Sequence, residues 1–234
     1  MSYAEIYASP FQHPWLLWAA AISGLIVALS RRGISRDVRW FCVAVACLSM
    51  IDAWLTATDV LGIGSLGSAA SSWVPLVFVL LGDFRYFLLV EMARPDGTLA
   101  MTKKGFGIAG AWTLIVPIAS LVVIRFVRLQ EPRMLFLVYE ALFIALLSMV
   151  SSIYLPKHAK ALRWTRSVSL LVLIYYGAWA AADALILFME CDEGFLLRIL
   201  PNVLYYGGFA PVVAWTAPSD RRPASLQTML RSSD

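Results

Sequence analysis

The stretch Ser72–Met92, SWVPLVFVLLGDFRYFLLVEM, decides how the chain is read. From Trp73 onward it has the 20 or so apolar residues that a membrane crossing needs. Yet it carries Asp83 and Arg85 near its middle. A charge at the centre of a bilayer costs about 2.5–3.5 kcal/mol on insertion scales, so these two groups need partners inside the protein. Asp83 and Arg85 are two residues apart, and their side chains leave a helix on different faces. Asp83 shares its face with Tyr86. Arg85 points away and calls for a carboxylate from a neighbouring helix, for which Asp52, Glu140 and Asp183 are the candidates.

The rest of the chain has the same character. Of 234 residues, 60% are hydrophobic and only 15% charged, against roughly a quarter charged in soluble domains. The apolar residues fall in long runs, which predicts an all-α polytopic membrane protein with seven spans at about 11–30, 40–61, 73–92, 106–124, 134–154, 167–189 and 195–217. Residues 1–218 then form one transmembrane domain, and the Ser-, Pro- and Arg-rich residues 219–234 form a disordered tail. Pro14, Trp15 and Trp18 suit the entry of the first span at the interface.

Loop charge sets the expected orientation. The loops after spans 1, 3 and 5, with the tail, hold fourteen Lys or Arg. The opposite side has Arg125, Arg128 and Arg133, with Arg198 nearby. Basic residues stay in the cytoplasm, so the N-terminus is expected outside and the C-terminus inside a plasma membrane, such as a bacterial inner membrane. The net charge of +4 is accounted for in this way and implies no nucleic-acid partner. The expected partners are the bilayer, a small solute or proton, and a second copy or another membrane protein.

Spans 3 and 7 overlay at an offset of 126, pairing Pro75 with Pro201, Val77 with Val203 and Gly82 with Gly208. Spans 2 and 6 match at nearly the same offset through Ala53–Trp54 and Ala178–Trp179. This is the pattern of a parallel 3+1+3 repeat with span 4 as a lipid-facing linker. In architecture alone it resembles the layout of sugar-transporting SWEET proteins and, less obviously, of microbial rhodopsins.

Polar residues cluster on defined faces. Cys42, Ser49, Asp52, Thr56 and Asp59 share one face of span 2, and Tyr176, Trp179 and Asp183 one face of span 6. Span 5 adds Glu140. Span 7 adds Asn202 and Tyr205 on one stripe, with Tyr206 beside it. Chain direction places Asp52, Asp83, Glu140, Asp183 and Asn202 between the midplane and the outer third. The expectation is one internal polar site or cavity opening outward, with Asp52, Asp83, Arg85, Tyr86, Glu140, Tyr176, Trp179, Asp183, Asn202 and Tyr205 as its ligand- or ion-binding residues. A carboxylate at such depth is costly as an ion and suited to carrying a proton.

Four functions fit this pattern. The preferred one is a transporter or channel for a small solute, proton-coupled or not. A seven-helix sensor needs a non-covalent ligand, because Lys103, Lys104, Lys157 and Lys160 all lie in loops and leave no Schiff-base site for covalent retinal. An intramembrane lipid enzyme would use paired aspartates, but no close carboxylate motif is present and no catalytic residue is assigned. The fourth is a structural or assembly subunit whose polar core only fixes packing. His13 and His158 fall outside the apolar runs, so no haem is expected between the helices. Cys42, Cys47 and Cys191 form no metal or disulfide framework.

Overall fold

A computed structural model describes residues 2–56, 68–126 and 132–219. The Gly- and Ser-rich loop, Asp59 and the tail beyond residue 219 lie outside the described residues. The fold is all-α. Among the described residues a short helix α1 (Tyr3–Tyr7) precedes seven long ones: α2 (Phe11–Ser30), α3 (Arg36–Leu55), α4 (Ser68–Met92), α5 (Lys103–Phe126), α6 (Arg133–His158), α7 (Leu162–Phe188) and α8 (Glu193–Thr216). Six of these, all but α1 and α4, are long and apolar enough to cross a membrane over their described residues. α4 has 25 residues, about 37 Å at 1.5 Å rise per residue, and contains the stretch that decided the reading.

Helices adjacent in sequence pack side by side, and α8 returns to α2, so the seven close into a ring. α4 also reaches α7, and α3 reaches α8. α5 is the most lipid-like wall: Leu114, Ile118 and Leu121 are exposed, while Ala109, Thr113, Val116 and Ser120, at steps of 4, 3 and 4, form its one buried face.

The α2–α8 seam is closed by small residues. α2 buries Leu17, Ala21, Gly24 and Ala28 on one face. A Cβ on Gly24 would stand 2.1 Å from the Gly207 carbonyl oxygen, and one on Gly207 would stand 2.6 Å from that of Ala20. Two backbones in direct contact are possible only without side chains there, the usual device for helix association in lipid. Tryptophan indoles donate across neighbouring seams: Trp18 to the Met50 carbonyl at 3.0 Å and Trp164 to that of Val213 at 2.9 Å.

α3 ends at Leu55, where the Thr56 hydroxyl turns back onto the Asp52 carbonyl at 2.6 Å; the expected continuation of the second span over 57–61 lies outside the described residues. A hydroxyl that competes for a carbonyl of the last turn favours termination. Asp52 therefore sits one turn from the end of α3.

The seam makes a direct prediction. Gly24→Val should lower stability by roughly 1–3 kcal/mol through overpacking. Gly110→Ala, where an added Cβ meets nothing within 4 Å, should stay within about 0.5 kcal/mol of the parent. Thermal unfolding of the two variants in detergent distinguishes them.

Candidate functional site

The end of the ring at which α2 begins holds a cavity of about 270 Å³. Asp52 and Thr56 reach it from α3, Tyr139 and Glu140 from α6, Tyr176 and Trp179 from α7, and Arg198, Asn202, Tyr205 and Tyr206 from α8. Tyr7 of α1 and His13 also line it. His13 is there because the chain breaks from helical geometry at that residue (φ −137°, ψ 108°), just before Pro14, as proline imposes on its predecessor. The ring nitrogen Nε2 then lies 3.2 Å from the Thr56 hydroxyl.

Six of the ten residues proposed from sequence line this cavity: Asp52, Glu140, Tyr176, Trp179, Asn202 and Tyr205. The other four lie behind its wall. Asp83 is 1% exposed and takes two short hydrogen bonds, from the Tyr139 and Tyr176 hydroxyls, at 2.5 Å each. Asp183 is wholly buried and binds both Arg198 and Arg133, the latter at 2.9 Å, through the same oxygen, Oδ1. Tyr86 hydrogen-bonds Ser169 at 2.7 Å within the packed core and does not reach the cavity.

Arg85 takes none of the three carboxylates that the sequence offered it. Among the described residues it forms no ion pair. Its Nη1 donates to the Ser49 hydroxyl at 3.3 Å and its Nη2 to the Tyr205 carbonyl at 2.8 Å. Its guanidinium carbon lies over two rings, 4.1 Å from the centroid of Tyr205 and 4.5 Å from that of Phe209. A desolvated cation–π contact is worth about 2 kcal/mol or more. The acceptor carbonyl comes from Leu204–Gly208, a π-helical turn within α8, the kind of local rewinding that recurs at functional sites. A second cavity of about 20 Å³, room for one water molecule, lies among Ser49, Asp52, Gly82, Arg85 and Tyr205. Asp52 and Tyr205 border both spaces.

The near wall is tied together by polar contacts. The Tyr206 hydroxyl donates to Asp52 at 2.8 Å, and Trp179 Nε1 donates to the Asn202 side-chain oxygen at 2.8 Å. The Tyr7 hydroxyl accepts from Arg198 Nε at 3.2 Å and from Asn202 Nδ2 at 3.3 Å. Glu140 Oε2 is buried and has no hydrogen-bond partner, and the same holds behind the wall for Asp183 Oδ2 and Arg85 Nε. No group of three or more His, Cys, Asp or Glu side chains is placed to hold a metal ion among the described residues.

The chain matches no protein-family model, no curated protein and no solved structure. The geometry of the cavity is therefore what speaks for its chemistry.

Sequence reasoning missed Tyr7, His13, Tyr139, Arg133 and Arg198. Tyr139 precedes Glu140 and carried the only available signal, a hydroxyl beside a deep carboxylate. Arg133 and Arg198 sit close to helix starts and read as loop charges. Nothing in the order of residues joins either to Asp183, 50 and 15 positions away.

The Asp83 clasp is testable. Tyr139→Phe and Tyr176→Phe should each cost about 1.5–3 kcal/mol, the range for a hydrogen bond to a charged group. The double variant should depart from the sum, because the two hydroxyls share one carboxylate. Chemical denaturation in mixed micelles, run as a double-mutant cycle, measures both.

Proposed function

We propose that this chain is a seven-span plasma-membrane transporter, N-terminus outside and C-terminus in the cytoplasm, that takes a small solute from the outer face into the 270 Å³ cavity. The observation that carries the proposal is convergence: polar side chains from α3, α6, α7 and α8 meet in one space at the end of the ring where α2 begins. The loop-charge asymmetry assigns that end to the outside. The volume lies just under the ~300–1,000 Å³ of pockets for drug-sized ligands, which favours a small solute.

Several features favour movement over mere binding. Asp52 and Tyr205 separate the main cavity from the smaller one above Arg85, so a solute or proton has a second station further in. α8 is interrupted by Pro201 and by the π-helical turn Leu204–Gly208 at the same level, as in transporters whose discontinuous helices build the binding site. Glycine-to-glycine contact at the α2–α8 seam leaves a smooth surface on which α8 can slide. Asp83, hydrogen-bonded to two tyrosines of the cavity wall, is placed to exchange a proton as the site fills and empties. The parallel 3+1+3 repeat belongs to this proposal, with α5 as linker.

A sensor with a non-covalent ligand is the second reading. The observation in its favour is the packed layer on the inward side, where Tyr86, Phe87, Phe143, Trp164 and Tyr175 are almost fully buried.

The two readings separate in proteoliposomes. A transporter gives electrogenic or counterflow signals for one solute class in a panel of amines, amino acids and sugars. Asp52→Asn should reduce that flux at least tenfold while the protein still elutes as a folded species. Saturable binding with no flux from any solute of the panel would support the sensor.

A further inference from the structure

Resting on the reading of the cavity as a solute site, we infer that the solute is a small organic cation, bearing an ammonium group that ion-pairs with Glu140 and lies against the aromatic wall. Three independent features of the site lead to this class.

The first is Glu140. Glu140 lines the cavity, the residue is 6% exposed, and its buried Oε2 has no hydrogen-bond partner. A buried carboxylate oxygen without a partner is costly, and a bound positive charge relieves that cost most.

The second is charge balance. Four buried carboxylates, Asp52, Asp83, Glu140 and Asp183, stand in and behind the cavity wall with three guanidinium groups, Arg85, Arg133 and Arg198. Arg133 and Arg198 are both committed to Asp183, and Arg85 is held by Ser49, a carbonyl and two rings. With every group ionised the set as a whole carries one net negative charge. A single ammonium balances it. An anionic solute would add to it.

The third is the wall itself. Phe136, Tyr139, Tyr176, Trp179 and Tyr206 surround the space, and aromatic faces are the usual receptors for ammonium groups. The protein already places its own cations this way, with Arg85 over Tyr205 and Phe209, Arg133 over Phe195 and Arg198 over Tyr7. A hard metal ion is the poorer fit, because it asks for six or more oxygen ligands in a tight shell. The described residues offer no cluster of three candidate ligands.

The test uses the purified full chain in nanodiscs and isothermal titration calorimetry with three probes of similar shape: tetramethylammonium chloride, neutral tert-butanol and sodium pivalate. Sodium chloride at matched ionic strength is the control. The expected result is saturable heat from tetramethylammonium alone, weakened at least tenfold by Glu140→Gln and partly restored by Glu140→Asp. Trp179→Leu, which removes a ring and leaves the charge, should weaken binding about threefold or more and guards against a misfolded Glu140 variant. Equal binding of tert-butanol or pivalate would overturn the cationic class while leaving a small-solute site standing. Tetramethylammonium binding that is unchanged in both the Glu140→Gln and Trp179→Leu variants, or matched by sodium chloride, would overturn it as well. Absence of heat from every probe would overturn both the class and the cavity reading. Cation binding without flux in proteoliposomes would keep the class and remove transport.

Discussion

A guanidinium inside a membrane bundle draws its partners from within the protein, and the way Arg85 is held shapes much of what surrounds it. It uses a hydroxyl, a main-chain carbonyl and two aromatic faces, with no carboxylate in contact. For this, Tyr205 must lie flat against Arg85. It can do so only because Gly82 has no side chain: a Cβ there would meet the Tyr205 hydroxyl at 1.9 Å. The π-helical turn at Leu204–Gly208 presents the carbonyl, and Gly207 in the same turn lets α8 close on α2. By settling Arg85 without a carboxylate, the fold leaves Asp52 and Glu140 to face the cavity.

The same economy governs the other charges. Asp183 absorbs two arginines through one oxygen, and Asp83 is clasped by two tyrosines. Buried pairs of this sort contribute little net stability because desolvation offsets attraction, but breaking one is costly. They fix which helices sit together: α7 to the start of α6 and α8 through Asp183, and α4 to α6 and α7 through Asp83. Glu140 keeps one carboxylate oxygen without a partner and stands on the wall of the cavity at that end of the ring.

Much of this could be read from the residues in order. Period 3.6 put Cys42, Ser49 and Asp52 on one face of α3, and all three are buried there. The two-residue offset sends Asp83 towards α6 and α7 and Arg85 towards α3 and α8. What could not be read is pairing, because spacing along one helix says nothing of which side chain another helix brings opposite. Arg85 was expected to seek a carboxylate, since charge is visible in a sequence and an aromatic face presented at 4.1 Å is not. Arg125, Arg128 and Arg133, with Arg198 nearby, ran against the loop-charge asymmetry. Two of these four, Arg133 and Arg198, pair with Asp183. His13 was set aside as lying outside the apolar runs, but the break before Pro14 carries it into the cavity.

The central claim is that these groups enclose a wet, outward-facing, cation-preferring cavity rather than a dry clamp. Asn202 is the position that tests it most directly, being 8% exposed yet part of the lining. The measurement is the rate at which Asn202→Cys, in a Cys47→Ser, Cys191→Ser background, reacts in intact cells with two impermeant methanethiosulfonates, one carrying trimethylammonium and one sulfonate. The account predicts modification from outside the cell, faster with the trimethylammonium reagent by an order of magnitude and slowed by Glu140→Gln. No reaction, reaction only after the membrane is opened, or equal rates for the two reagents would contradict it.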